Sequence, residues 1–211
     1  MSTEQVQESL SSCSLVSQQS VSRLDQPTSG ILPMALGSDD GASAYWLQAQ
    51  FAARLVSKEY MCLCKLDDVT TASLRIGAKG KVSTPLKVSS FAGSNRVRVC
   101  PNGLSSLTQW EVVAMYKAPA EKQNELTRGL ALMQIHPRTG RTHQIRVHLA
   151  SIGMPLAGDT RYGSSSDEEV HWCPRLFLHC HKLHLWSLDG KSLTIQSELM
   201  AELSEVLDKL A

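Results

Sequence analysis

Residues 136–163, HPRTGRTHQIRVHLASIGMPLAGDTRYG, constrain the fold more than any other stretch of the chain. The apolar positions Ile145, Leu149 and Ile152 recur at spacings of three and four, the period of one helix face. Thr142 is expected to cap that helix, and Gly153 followed by Pro155 to end it. The same stretch carries Arg138, Arg141, Arg146 and Arg161 against one acid, Asp159. Arginines before and just inside a helix N-terminus, beside N–H groups without intrahelical partners, make a site for phosphate or a carboxylate. A solvated basic helix shows the same pattern, because a charge run usually marks an exposed face. Local pattern leaves both readings open.

Composition decides how local such a site must be. The formal net charge is only +1 over 211 residues, so no global basic field advertises a polyanion partner. The charge is uneven, however. Residues 81–98 hold Lys81, Lys87, Arg96 and Arg98 with no acid, and Arg128 adds to the arginine stretch. Glu198, Glu202, Glu205 and Asp208 make the C-terminal end acidic. A hydrophobic fraction of 42% suits one globular domain, expected over residues 21–211. Six cysteines at scattered positions suggest no disulfide framework and a reducing compartment. The cytoplasm is the expected location, an organelle or the nucleus remaining open. No run has the length of a membrane span. Residues 1–20, rich in Ser and Gln and without a secretory or transit pattern, are expected to form a disordered or non-native tail.

Taken in order, residues 21–30 (VSRLDQPTSG) are turn formers, and Asp25 alone reads as a turn residue. Residues 31–36 suggest a short strand, after which Ser38 or Asp39 would cap a helix with Leu47, Phe51 and Leu55 on one face. Residues 58–66 alternate, with Tyr60, Cys62, Cys64 and Leu66 on one side, as in a half-buried strand. Residues 67–95 read as a long excursion with one or two short strands. Further strands are expected at 110–116, 130–135, 176–186 and 192–195, the last two joined by an Asp189-Gly190 turn. Residues 164–170 suggest a polar loop. Ser197 would cap a closing helix with Leu199, Leu203, Val206 and Leu210 inside. The expected class is α+β, a mixed and mostly antiparallel sheet flanked by helices.

Three chemistries compete. Cys173, His179, Cys180, His181 and His184 cluster, but they lack the paired knuckles of a structural zinc site, so no metal is expected. A hydrolase reading fails for want of a strand–turn–helix nucleophile elbow, and neither a phosphate loop nor a dinucleotide fingerprint is present. The third reading joins Asp25 to the arginine stretch. RLDQPTSG, VSKEY, HPRTGRTHQIRVHL, GMPLAGDTRYG and RLFLHC, in that order over residues 23–185, resemble the motifs of the RluA-type RNA pseudouridine synthases. Those enzymes are isomerases that convert uridine in RNA to pseudouridine.

The resemblance implies roles residue by residue. Asp25 is the implied catalytic aspartate, a nucleophile or charged partner at the anomeric carbon while the bond to the uracil nitrogen breaks. A carboxylate suits this because a neighbouring guanidinium favours its charged form. Arg146 matches the basic residue that pairs with the aspartate. Tyr60 matches the tyrosine that stacks on the base and is suspected in proton removal from carbon 5. Leu178 packs the base from its other side, and Arg23 fills the gap left by a flipped nucleotide. Arg138, Arg141 and Arg161 are implied phosphate or structural contacts, which position RNA without reading its sequence. No cofactor is implied; the partner is rRNA or tRNA, with no membrane, and the chain is expected to be a monomer. Ser22 stands where the family has histidine. The family's upstream strands, close to DDLLVVNKPAG, have no counterpart in the 24 residues ahead of Asp25. A catalytic fold shortened at its N-terminal side is therefore expected. The alternatives are a catalytically impaired RNA-binding remnant and, more distantly, a protein interaction module without salt-dependent RNA affinity.

Overall fold

Lys-Glu-Tyr-Met-Cys-Leu-Cys-Lys-Leu, the alternating stretch, lies at the centre of a sheet covered on both sides, and that placement organises the molecule. The computed structural model describes residues 18–37, 41–91, 94–118, 129–163 and 172–211. In chain order the elements are β1 (Gln18–Ser20), β2 (Ser29–Gly30), β3 (Met34–Leu36), α1 (Ala42–Ala52), β4 (Ser57–Leu66), α2 (Asp68–Ser73), β5 (Lys79–Val82) and β6 (Leu86–Phe91). They continue as β7 (Ser94–Val99), β8 (Thr108–Lys117), β9 (Gly129–Pro137), α3 (Gln144–Ser151), β10 (Leu178–Trp186), β11 (Ser192–Gln196) and α4 (Ala201–Asp208).

The main sheet runs β11–β10–β4–β9–β8–β5 with antiparallel neighbours, and β2 joins β10 in parallel. The expected α+β class with a mixed, mostly antiparallel sheet is what the chain adopts. β4 is not half-buried, as its alternation suggested. Tyr60, Cys62, Cys64 and Leu66 pack with Met133 and Ile135 of β9 and with Ile145 and Leu149 of α3. Leu63 points the other way, into a cluster with Phe177 and with Leu203 and Val206 of α4. Both faces are dry, and each fully buried leucine contributes about 1.5–3 kcal/mol.

The helix in the arginine stretch forms, but shorter and deeper than expected. Its N-cap is His143, left-handed at φ 52° and giving no capping bond, while the Thr142 hydroxyl accepts from Arg23 Nη2 at 3.2 Å. Gln144, Ile145, Arg146, Val147, His148 and Leu149 are all buried. The solvated-helix reading is thereby overturned: the β6–β7 hairpin covers the side turned away from the sheet, through Val147, Leu86 and Val97. Gly153, at φ 77°, ends the helix as expected. Its N–H reaches Ala150 O at 3.2 Å and that of Met154 reaches Leu149 O at 3.0 Å, the paired bonds of a Schellman end. Ile152 lies past that end, 39% exposed.

Smaller differences have local causes. The 67–95 excursion contains a helix, α2, because Asp67 Oδ1 accepts the Thr70 N–H at 2.7 Å. It also contributes three strands rather than one or two. α1 stops at Ala52, so Leu55 is exposed while Leu47 is buried; Ser38 and Asp39 lie outside the described residues. α4 starts after Met200, because the Ser197 N–H is used by His181 O across the β10–β11 hairpin. That hairpin turns through Gly190, at φ 77°. The expected tail enters the fold at Gln18, whose strand pairs with β3, and residues 1–17 lie outside the description. The 164–170 loop also lies outside it.

Candidate active site

Between the N-terminal end of α3 and the start of β4 lies a cleft of about 120 Å³, into which distant segments of the chain deliver their polar residues. Asp25 and Thr28 come from the β1–β2 loop, Lys58 and Tyr60 from β4, Arg141 and Thr142 from the β9–α3 loop, Arg146 from α3 and Leu178 from β10. Arg23, Lys58 and Arg141 also line an adjoining groove of about 640 Å³, together with Arg54 and Arg138, and among the described residues no acid lines that groove. Of the expected site residues, Asp25, Tyr60, Arg146, Arg23, Leu178 and Arg141 meet in the cleft, and Arg138 lies beside it in the groove.

Local chemistry explains how Asp25 is held. The Thr28 N–H donates to Asp25 O at 2.7 Å, closing a turn that leads directly into β2. Gly30, at φ 106°, then pairs with Cys180; a Cβ there would overlap the Cys180 carbonyl. The glycine of the TSG motif is thus the residue that lets β2 lie against β10. The Asp25 side chain keeps 18% of its surface exposed and faces the cleft. The Thr28 hydroxyl is buried there without a hydrogen-bond partner among the described residues.

Arg146 does not sit on Asp25. It is locked to Asp159, Nε to Oδ2 at 2.8 Å and Nη2 to Oδ1 at 2.7 Å, with both side chains almost fully buried. Asp159 Oδ1 also accepts the N–H groups of Arg161 and Tyr162, at 2.9 and 3.1 Å. Burial by itself would raise the Asp159 carboxyl, but the Arg146 guanidinium and those N–H groups outweigh it and hold it below the usual range. Burial likewise works against the charge on Arg146, and the Asp159 hydrogen bonds reverse that, aided by the charge of nearby Asp25. The expected Arg146–Asp25 pair is replaced because the forked guanidinium matches a carboxylate already fixed by two backbone donors.

The ion-pair contact of Asp25 is instead with His143, whose Nε2 lies 3.9 Å from Oδ1. Sequence reasoning missed His143, since neither periodicity nor charge singles out a residue in that position. It also missed Lys58, although Lys58 stands two residues before Tyr60 and so shares its side of β4. Burial lowers the Lys58 ammonium, and its Nζ lies 5.5 Å from the centre of the Phe51 ring. Tyr60 is 7% exposed, and burial, followed by the neighbouring Cys180 and Asp25, pushes its phenol far up, so it stays protonated. Leu178 is buried at the first position of β10. Arg161 lines neither cavity; its carbonyl accepts from Arg96 Nη2 at 2.9 Å. The histidines of β10 are occupied: His179 by Ser29 Oγ at 2.9 Å, His181 by Ser197 O at 2.8 Å and His184 by Ser192 Oγ at 2.9 Å.

Comparison with known proteins bears on this geometry. The family model for RNA pseudouridylate synthase matches residues 7–151. An uncharacterized RNA pseudouridine synthase of Zymomonas mobilis is 33% identical over 181 residues, covering 85% of this chain and 72% of that protein. The tRNA pseudouridine synthase C of Haemophilus ducreyi is 31% identical, with 78% and 65% covered. The ribosomal large subunit pseudouridine synthase C of Vibrio cholerae is 34% identical, with 90% and 54% covered. The chain thus spans between 54% and 72% of the length of these relatives. Among solved structures, human RNA Pseudouridylate Synthase Domain Containing 1 superposes with a TM-score of 0.71 at 23% identity, covering 90% of this chain and 73% of that one, a likeness of fold.

Proposed function

Because the chain belongs to the RNA pseudouridylate synthase family, we propose that it isomerises uridine to pseudouridine in rRNA or tRNA, with Asp25 meeting the sugar. One observation carries this reading. Asp25, Tyr60 and Leu178, from three segments, converge in one cleft that adjoins a groove lined by five cationic side chains. The groove suits a phosphate backbone, and the cleft suits a single base taken out of its stack.

In the proposed reaction the Asp25 carboxylate engages the anomeric carbon as the bond to the uracil N1 breaks, and the electron pair leaves with N1. The freed base turns between Tyr60 and Leu178 until its carbon 5 faces the sugar. A carbon–carbon bond then forms as the carboxylate lets go of the anomeric carbon, carbon 5 gives its proton up to solvent and N1 takes one from it. Atoms and electrons balance within one nucleotide, so the product has the mass of the substrate. Tyr60, a neutral phenol in this cleft, is suited to packing on the base and donating a hydrogen bond rather than to taking the carbon-5 proton. The Thr28 hydroxyl is free to meet a polar edge of the base. Arg146 acts here through its charge near Asp25 while Asp159 holds its position.

Loss of the carbon-5 proton gives the test. Wild-type protein incubated with rRNA or tRNA transcripts carrying uridine tritiated at carbon 5 is expected to release tritium and leave pseudouridine. Asp25→Asn is expected to bind the same RNA and release none. Salt-dependent RNA binding by the wild type without tritium release on any transcript would make the chain a non-catalytic RNA binder instead.

A further inference from the structure

His143 stands at a position where the local rules argue against it. A helix N-cap favours Ser, Thr, Asn or Asp, whose side chains satisfy a free N–H of the first turn. His143 supplies no such bond, and its backbone is left-handed at φ 52°, which a non-glycine residue adopts at a cost. Strain of this kind persists where the surroundings impose it. Here both ring nitrogens are committed away from the helix: Nδ1 lies 2.7 Å from the Tyr162 hydroxyl, and Nε2 lies 3.9 Å from Asp25 Oδ1.

Two neighbours bear on where the ring proton sits. The Tyr162 oxygen accepts the Val97 N–H at 3.1 Å, and its own proton can be donated to His143 Nδ1, 2.7 Å away. The opposite tautomer would aim an Nε2 lone pair at a carboxylate. The Tyr162 ring is itself clamped, with Arg146 5.1 Å and Arg96 5.7 Å from its centre and the His143 ring edge-on at 5.5 Å. Its backbone N–H is held by the same Asp159 oxygen that binds Arg146.

We propose that His143 is a positioning residue for the reaction, aiming an Nε2–H at Asp25 Oδ1 because the Tyr162 hydroxyl sets its tautomer. At 3.9 Å the donor orients the carboxylate without the short hydrogen bond that would tie up its attacking oxygen. A neutral donor also leaves the charge of Asp25 intact. Burial and the neighbouring Arg146 and Arg161 lower His143, while Asp25 and Asp159 raise it, with a net lowering. These, with Tyr162, are the charged and titratable groups that act on it among the described residues.

The proposal rests on the isomerase reading for its kinetics but not for its tautomer, and the experiment separates the two. Imidazole nitrogen-15 NMR on the intact protein should show His143 protonated at Nε2 at neutral pH, and Tyr162→Phe should shift it toward a mixture. In tritium release, His143→Ala is expected to lower kcat by about 10²-fold, as for a misplaced reacting group, with RNA affinity within about twofold. His143→Gln, whose amide can donate to Asp25, should recover about tenfold of that loss, and Tyr162→Phe should lower kcat by about tenfold. An Nδ1–H tautomer in the wild type overturns the proposal whether or not the protein is active. So does a His143→Ala or Tyr162→Phe enzyme with unchanged kcat, or one whose RNA affinity falls in step with kcat. A wild type with the Nε2–H tautomer and no turnover would instead sink the isomerase reading.

Discussion

α3 and α4 are each eight residues long and cover opposite faces of the same sheet, yet they are built in opposite ways. α4 follows the surface-helix pattern: Leu203 and Val206 are buried, and Glu202 and Glu205 face outward. α3 is buried on all sides and carries three polar residues into that burial, each with partners. Gln144 accepts from the Thr139 hydroxyl and the Arg141 N–H and donates to Leu107 O and Thr108 Oγ1. His148 reaches Thr108 Oγ1 at 2.8 Å and Thr84 O at 3.0 Å, and Arg146 forks onto Asp159. Apolar packing asks only for volume, whereas each of these bonds fixes a direction. The helix that borders the cleft is the one built from directions.

The largest break in this comparison should come from Asp159→Ala. It strands a buried guanidinium and frees the Tyr162 N–H, so denaturant unfolding should show a loss of about 3–5 kcal/mol. The loss should spread to the cleft, with tritium release falling further than the unfolded fraction explains. A loss below about 1 kcal/mol would mean that Arg146 finds water or another partner, and that α3 is less rigid than its bonds suggest.

Leu203→Ala on α4 is the matched control. A cavity beneath a fully buried leucine should cost about 2–5 kcal/mol, comparable in size to the first change. The kcat of the molecules that remain folded should stay within about twofold, because α4 supplies only volume. Equal damage to kcat from both substitutions would erase the functional distinction between the helices.

Acid should also separate them. Burial lowers His148 below its ordinary value, so the unfolded chain takes up a proton that the folded chain resists. Stability from this source is complete above the unfolded value near 6.5 and is lost as pH falls through the folded one. His179 of β10 adds to the fall with the same sign, and Asp159, also lowered, extends it below the ordinary carboxylate value of 3.8. Unfolding free energy measured between pH 7.5 and pH 5 should decline in the wild type, over a window set by these histidines. His148→Gln should flatten the decline, and an equal slope in both proteins would place the titration elsewhere.

Much of the frame was legible because its signals are local. Alternation at Tyr60, Cys62, Cys64 and Leu66 gave β4, and Gly153 with Pro155 gave the end of α3, since backbone geometry leaves few alternatives there. What stayed hidden depends on what covers what. Nothing in QIRVHL announces that the β6–β7 hairpin will close over it, so a basic helix and a buried one look alike in sequence. Asp159 was visible as the one acid of its stretch, but its choice of Arg146 over the other arginines is made by the loop that donates Arg161 and Tyr162 N–H to it. Asp25 was legible only through the motif around it, because alone it is a turn residue. His143 sat inside the HPRTGRTHQIRVHL motif with no role of its own; its meaning comes from a tyrosine 19 residues away in the chain.

Arg138→Ala should give the smallest effect. The side chain is exposed, and its Nε donates to Gln109 Oε1 at 2.7 Å on the surface, so stability should move by no more than about 0.5 kcal/mol. Neither helix contains it, and the α3–α4 contrast assigns it no structural task. If the groove carries phosphates, its removal should weaken RNA binding evenly across sequences and lower the slope of log affinity against log salt by about 1. The kcat at saturating RNA should not change, because Arg138 lines the groove and not the cleft. A fall in kcat with an unchanged salt slope would move Arg138 into the directed network around α3, and the boundary between that network and the cationic groove would have to be redrawn.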